Sequence, residues 1–257
     1  MGQFFADVHA MPDSQLGGGP CSVTDTEEIT ALRGKEDYES LMQLAQALSF
    51  QLRYREATAV YSRAIDLNPD ATKAYRLRAA RYINSLQPAK AVEDFLYCRE
   101  HGGDVVDLSY RIGLCLYFMG RYQWAMEEFR ICFAHSDDEM GIAAIYWHTL
   151  SAWRCGEDAS LLKKYHSNMN VGHHTGYEKA VALAAGATTL DEFYQVLTAE
   201  KEDLEFSIVA YGGYGYLAYI GKTDAAQELL SEVVCRDSFW ISYAYIAAWN
   251  DYHKSEV

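Results

Sequence analysis

The chain has 257 residues, half of them apolar, and a formal net charge of −14. This acidity argues against nucleic acid or an anionic membrane surface as the main partner, because both are bound through an excess of Lys and Arg. The sequence contains no run of eighteen apolar residues, so a membrane-spanning helix is not expected. Only four residues are proline, and this composition favours long helices with few breaks.

The N-terminal region is predicted to be a flexible leader over residues 1–23, which are polar and rich in glycine. It lacks the basic cluster and apolar segment of a secretory signal, so we expect a cytoplasmic protein. A short helix is predicted to begin near Thr26, because Thr26 can cap it and Glu27 and Glu28 supply acids to its first turn.

Three stretches then repeat with a step of 34 residues, over 38–71, 72–105 and 106–139. Small residues recur at positions 8, 20 and 27, and an aromatic residue recurs at position 24. In the order of these positions, the residues are Ala45, Ala79 and Gly113; Ala57, Ala91 and Ala125; Ala64, Cys98 and Cys132; and Tyr61, Phe95 and Phe129. Small residues let two antiparallel helices pack closely, and a period of this size predicts an array of stacked helix pairs.

This pattern resembles the tetratricopeptide repeat. The matching residues are Leu44, Ala45, Tyr54, Ala57, Tyr61, Ala64 and Pro69 in the first repeat, Tyr75, Ala79, Tyr82, Ala91 and Phe95 in the second, and Gly113, Gly120, Tyr122, Ala125 and Phe129 in the third. The resemblance implies an all-α fold, an α-solenoid in which helix hairpins form a right-handed superhelix. We therefore assign three repeats and the short preceding helix to residues 24–139.

Residues 140–257 are predicted to continue the same solenoid as irregular helical pairs with a C-terminal capping helix. The predicted helices cover 140–155, 159–166, 177–185, 190–200, 204–220, 224–234 and 239–252. Gly156 and Gly221 are expected to end helices, and Thr189 with Glu192 forms a capping box. The last helix would cover the open apolar end of the stack.

The cysteines are predicted to be buried and free. Cys98 and Cys132 both occupy repeat position 27, and Cys115 lies halfway between them on the first helix of the third repeat. This spacing fits neither a metal site nor a disulfide framework. Such cysteines behave as small apolar residues.

Neither a nucleotide site nor a metal site is favoured. Residues 215–223 are similar to a phosphate-binding loop, but five residues separate the two glycines and a helix is predicted where a strand is required. A soft metal site could use His166, Met169, His173 and His174, although no cysteine or carboxylate in that segment completes it. We predict no cofactor, no bound metal and no catalytic residue. A small-molecule or metal-dependent enzyme using 166–219 is the less favoured alternative.

The helix predicted over 204–220 is unusual in its aromatic content. Within nine residues it contains Tyr211, Tyr214, Tyr216 and Tyr219, interleaved with Gly212, Gly213 and Gly215. These glycines weaken the prediction of a helix, unless close packing against a neighbour explains them. Core packing of the rings is favoured, and a tyrosine surface that faces a ligand is the alternative.

Positive charge is concentrated between Arg53 and Arg99, where nine Lys or Arg face five acids. In the tetratricopeptide family, the first helix of each repeat lines a concave groove. The resemblance therefore implies a peptide-binding groove at Gln46, Lys73, Arg76, Tyr110, Arg111, Leu114 and Tyr117. Of the five-residue carboxylate clamp of the chaperone-binding subfamily, only Arg111 is matched. Salt links along neighbouring helices are an equally open interpretation of the basic residues.

These features predict a non-enzymatic adaptor that binds a protein or peptide with an acidic or carboxylate feature. A chaperone or a peptide-sensing regulator is the main alternative. Neither nucleic acid nor a membrane is an expected partner. Association with a second copy of the chain is left open, because an exposed end of the helix stack could pair with itself.

Overall fold

A computed structural model describes residues 24–236 and 239–254, and these residues form an all-α protein. They contain thirteen α-helices, one 3-10 helix and no strand. None of the helices in this part of the chain combines the length and apolar character needed to cross a bilayer. The chain divides into two compact units, unit 1 over 1–104 and unit 2 over 105–257. The predicted leader over 1–23 lies outside the described residues.

Unit 1 is a stack of short helices in which each helix packs against the next in chain order. Its helices are α1 (Glu27–Leu32), α2 (Tyr38–Phe50), α3 (Tyr54–Leu67), α4 (Thr72–Asn84) and α5 (Pro88–Glu100). The hairpins α2–α3 and α4–α5 correspond to the first two predicted repeats. As predicted, α1 begins just after Thr26, whose hydroxyl accepts a hydrogen bond from the amide of Ile29.

Unit 2 contains the third predicted hairpin, α6–α7, followed by six further helices. Its helices are α6 (Val105–Phe118), α7 (Tyr122–His135), α8 (Asp138–Cys155), α9 (Thr175–Ala184), α10 (Leu190–Ala199), α11 (Asp203–Tyr219), α12 (Thr223–Cys235) and α13 (Tyr243–Lys254). A 3-10 helix, Ser160–Lys164, stands where the short partner helix over 159–166 is predicted. Helix α11 is central to the unit, because it packs against α8, α9, α12 and α13.

The helix pairs have the internal packing that the 34-residue period predicts. Every repeat residue at positions 8, 20, 24 and 27 is buried. Position 15 adopts a positive φ in all three hairpins, at Leu52 (63°), Leu86 (56°) and Gly120 (70°). Residues other than glycine rarely adopt this conformation. Its recurrence at two leucines therefore shows that the same tight interhelix turn forms in each hairpin.

One contact explains why position 8 must be small. A Cβ atom added to Gly113 would lie 2.7 Å from Cε1 of Phe129, the aromatic residue of the same hairpin. Such a distance is shorter than van der Waals contact, so a larger residue would push α6 and α7 apart. Phe129 is fully buried.

The helix ends predicted in the C-terminal half are mostly confirmed. Gly156 has a φ of 73° and caps α8, and the capping box of Thr189 and Glu192 begins α10. The start predicted for the last helix is wrong, since α13 begins at Tyr243 rather than at 239. The hydroxyl of Ser242 accepts a hydrogen bond from the amide of Tyr245 at 3.4 Å, which favours a helix start at this point.

Residues 203–219 form a helix, as predicted, and its glycines are explained by close packing. A Cβ atom on Gly212 would lie 2.5 Å from the Cβ atom of Ala180 in α9. A Cβ atom on Gly213 would lie 2.6 Å from Cζ of Phe193 in α10. Glycine therefore lets α11 approach two neighbouring helices more closely than any other residue would allow.

Cys98, Cys115 and Cys132 are buried and form no disulfide within the described residues, as their repeat positions predict. Burial raises the pKa of the Cys115 thiol above its ordinary value, which makes it a poor nucleophile. These residues therefore act as small apolar packing groups.

Candidate peptide-binding surface

The predicted site residues of unit 1 lie on the first helix of each hairpin. Lys73 and Arg76 are exposed and stand three residues apart at the start of α4, so they share one face of that helix. Gln46 is half-buried on α2. Unit 1 therefore presents a basic pair at the predicted positions.

The predicted aromatic wall is buried in unit 2. Tyr110, Leu114 and Tyr117 are only 8%, 0% and 3% exposed, so they do not line an open surface in this structure. The reason is that α8 and α13 pack against α6 and that α9 and α11 also supply side chains to this region. For example, the hydroxyl of Tyr110 lies 3.1 Å from the hydroxyl of Tyr177 in α9.

Tyr117 belongs to a buried polar network instead. Its hydroxyl lies 2.7 Å from the hydroxyl of Tyr211, which donates a hydrogen bond to Asp251 at 2.8 Å. Arg154 completes the network through an ion pair with Asp251. Burial, reinforced by the charge of Asp251, raises the pKa of Tyr211 well above its ordinary value, so its hydroxyl keeps the proton that it donates.

Arg111 also has a structural role within unit 2. Its guanidinium donates one hydrogen bond to Asp107, at 2.8 Å, and another to the hydroxyl of Tyr243, at 2.7 Å. Tyr243 is the first residue of α13, so Arg111 ties that helix to α6. The sequence gives no local sign of this contact, because Tyr243 lies 132 residues further along the chain.

Several basic side chains of unit 1 form ion pairs, as the salt-link interpretation predicts. The pairs include Arg53 with Asp25, Arg63 with Glu36, and Arg78 with Asp94. The last of these is the best shielded, with two hydrogen bonds of 2.7 and 2.8 Å between the guanidinium and the carboxylate. Burial acts to lower the pKa of Arg78, but Asp94 outweighs it and the pKa is raised.

Other basic side chains of unit 1 remain on its surface. Arg55, Lys73, Arg76 and Lys90 are exposed, whereas Arg81 lies over the ring of Tyr54 at 4.8 Å from the centroid. The exposed four account for much of the positive charge predicted between Arg53 and Arg99.

The tyrosines of α11 divide between the core and the surface. Tyr211 is fully buried, as core packing predicts, but Tyr219 is 62% exposed. The ring of Tyr219 stacks on Trp153, with centroids 4.8 Å apart and planes inclined by 13°. Beside this stack, an open groove of about 380 Å³ is lined in part by Glu157, Asp158 and Lys163, and Lys163 forms an ion pair with Asp158.

The histidine-rich segment is held by Glu139. The Nδ1 atom of His173 lies 2.5 Å from a carboxylate oxygen of Glu139, and that of His174 lies 2.6 Å from its carbonyl oxygen. Within residues 24–236 and 239–254, no three His, Cys, Asp or Glu side chains are grouped to hold a metal ion. Gly221 has a φ of 78° and follows α11, so the segment similar to a phosphate loop is a helix C-terminus.

The hairpins of the two units share one register of buried small and aromatic positions and one interhelix turn. These helix pairs fit the tetratricopeptide repeat. No family model matches the chain, and no curated protein matches its sequence. Among solved structures, the chain is similar to YrrB, described as a TPR protein with an unusual peptide-binding site, with 17% identity and a TM-score of 0.47. The alignment covers 90% of this chain and 99% of that chain.

Proposed function

We propose that this protein is a non-enzymatic adaptor that binds an acidic protein or peptide segment through unit 1. The binding surface is the exposed pair Lys73 and Arg76 on α4, with Gln46 on α2 as a polar neighbour in the repeat frame. The observation that carries this proposal is that two basic side chains are exposed at the positions that line the groove in the repeat family. Lys and Arg at such positions suit carboxylates, and Arg can bind them with two hydrogen bonds.

The packing of the repeats supports binding rather than catalysis. The small and aromatic residues at the repeat positions are buried inside the hairpins. The exposed faces of the helices are therefore the surfaces whose residues can be chosen for binding. Stacked helix pairs present extended surfaces of this kind, and extended or helical peptides fit them. A chaperone or a peptide-sensing regulator in the cytoplasm would use the same surface and remains the alternative.

Affinity capture from native cell extract, followed by mass spectrometry, tests this function. We expect the wild-type chain to enrich specific partners that the double variant Lys73→Glu/Arg76→Glu loses. The control is Lys201→Glu/Lys222→Glu, which makes the same charge change at two exposed lysines of unit 2. Circular dichroism must show equal helicity for all three proteins. Equal capture by the wild type and the Lys73/Arg76 variant would refute the proposed surface.

A further inference from the structure

Unit 1 contains a second basic feature, an open groove of about 380 Å³ between α3, the end of α4 and the start of α5. Its volume falls within the range of about 300–1,000 Å³ that is usual for ligand sites. Thr58, Ala59 and Ser62 of α3 form its floor. The groove is open to solvent, so it can admit a chain segment that continues past it on both sides.

The floor of the groove offers little to an anion. The hydroxyl of Thr58 donates to the carbonyl of Arg55, and the hydroxyl of Ser62 donates to the carbonyl of Thr58, both at 2.9 Å. Ser62 also accepts a hydrogen bond from Arg78, at 2.9 Å. Because both hydroxyl hydrogens are already used, recognition of an anion depends on the walls.

The walls carry the positive charge. Arg55 and Lys90 are both exposed and line the groove together with Tyr82 and Gln87. The ammonium group of Lys90 is positioned by two contacts, a hydrogen bond of 2.8 Å to Oε1 of Gln87 and an approach of 5.5 Å to the ring centroid of Tyr82. Among the residues that the structure describes, no acidic side chain lines the groove.

The start of α5 adds to this positive field. Gln87 is its N-cap residue and makes no side-chain hydrogen bond to the first turn of the helix. Pro88 begins the helix and has no amide hydrogen, so the amides of Ala89 and Lys90 are the ones without a partner within the helix, and the helix dipole places partial positive charge there. The nearby guanidinium of Arg78 adds little, because its charge is balanced by Asp94.

We propose that this groove binds carboxylate side chains of an acidic peptide segment, held between Arg55 and Lys90. The open shape favours a peptide over a single enclosed ion, and the two cations on its walls select negative charge. Asp66 and Glu93 lie one turn beyond lining residues of α3 and α5 but do not line the groove, so they can repel a segment that binds out of register.

This groove is separate from the surface of the proposed function. Tyr82, which lines the groove, follows Lys73 by nine residues in α4. At 3.6 residues per turn, nine residues place the two side chains on opposite sides of the helix. The groove can therefore bind even if Lys73 and Arg76 do not, and separate variants distinguish the two sites.

The test is a titration of the full chain into fluorescein-labelled hexaglutamate, followed by fluorescence anisotropy at low and moderate salt. We expect saturable binding that weakens as salt is added. The double variant Arg55→Glu/Lys90→Glu should weaken it by about tenfold or more, because two attractive charges become repulsive. Lys163→Glu/Lys164→Glu, at exposed positions of unit 2, should stay within about twofold of the wild type.

Further measurements distinguish loss of the groove from misfolding, from binding of a free oxyanion and from binding to net charge. Circular dichroism checks folding, and Arg55→Gln/Lys90→Gln, which removes charge without reversing it, should show an intermediate loss of affinity. Displacement of the peptide by inorganic phosphate at equal concentration would overturn the peptide assignment in favour of a free oxyanion. Equal weakening by all the reversal variants would overturn the site, because it would show binding to net charge alone. Weakening by the Lys73/Arg76 variant alone would overturn the groove while leaving the proposed function intact.

Discussion

Replacing Gly212 by alanine tests whether the glycines of α11 are required by packing. In an exposed helix interior the change would stabilise the fold by about 1 kcal/mol, because alanine is the better helix former. Here the added Cβ atom would lie 2.5 Å from the Cβ atom of Ala180 and 2.7 Å from Cε2 of Tyr146. Neither neighbour can easily move, since the first is fixed to the backbone and the hydroxyl of Tyr146 is bonded to the carbonyl of Ile208 at 2.8 Å.

The size of the effect follows from these two opposing terms. Overpacking a rigid site costs about 1–3 kcal/mol, and Gly212 belongs near the upper end because its neighbours are rigid. After the helix-propensity gain, we expect Gly212→Ala to destabilise unit 2 by about 2 kcal/mol. At a typical urea dependence of about 2 kcal/mol per molar, the unfolding midpoint falls by about 1 M.

Gly215→Ala is the matched control on the same helix. Its added Cβ atom would clash only with Cδ2 of Leu150, the end of a flexible side chain, while the next atoms lie 3.8 and 3.9 Å away. Leu150 can rotate away, so we expect the propensity gain to dominate and to stabilise unit 2 by about 0.5–1 kcal/mol. The same substitution thus has opposite signs at two positions three residues apart.

Urea unfolding followed by tryptophan fluorescence is the appropriate assay, because all five tryptophans lie in unit 2. Adding Ala180→Gly to Gly212→Ala should recover part of the lost stability by removing one of the two clashes. If Gly212→Ala raises the midpoint as Gly215→Ala does, the close approach of α9 and α11 is not what requires glycine, and the packing argument fails.

Two further predictions concern buried polar groups. His148 is fully buried, neither of its ring nitrogens has a hydrogen-bond partner among the described residues, and burial lowers its pKa from 6.5 to about 4. As the pH falls, His148 therefore binds a proton in the unfolded chain before it does so in the folded chain. The free energy of unfolding is highest above pH 6.5 and decreases as the pH drops towards 4. His148→Leu should raise the stability of unit 2 by about 1–3 kcal/mol at neutral pH and flatten this decline, measured by urea midpoints at both ends of the range; an unchanged slope would contradict this. In unit 1, Arg78→Met should cost about 3–5 kcal/mol by leaving Asp94 buried without its partner, whereas Arg78→Met/Asp94→Leu should cost much less. Amide hydrogen exchange of α4 and α5 measures both variants, and equal losses would show that the unpaired charge is not the cause.

The regular part of the fold could be predicted because its determinants are local. Ala57, Ala91 and Ala125 mark one packing position in three hairpins, and each is fully buried. Helix ends could also be predicted, since Gly156 adopts the left-handed conformation expected of a helix C-terminus. The glycines of α11 weakened the prediction of that helix, and only the structure shows the close packing that explains them.

The prediction of an exposed aromatic wall is wrong because of contacts between residues that are far apart in the sequence. Tyr110 and Tyr117 occupy groove positions in the repeat frame, but their hydroxyl partners, Tyr177 and Tyr211, come 67 and 94 residues later. Those partners lie on helices after residue 140, where the 34-residue spacing no longer holds. By contrast, Lys73 and Arg76 are exposed as their repeat positions predict, and their role in binding stays a proposal.

The two units differ in how far along the chain their stabilising contacts reach, and this difference bears on how quickly each can form. In unit 1, the hydrogen bond from Tyr97 to the carbonyl of Pro69 spans 28 residues. In unit 2, the bonds from Arg111 to Tyr243 and from Asn250 to the carbonyl of Phe118 each span 132 residues. Closing loops of that length costs chain entropy before any contact repays it, and folding slows as contact order rises. During synthesis, α6 must therefore wait for α13 to emerge from the ribosome before these bonds can be made, whereas the hairpins of unit 1 can assemble as they appear.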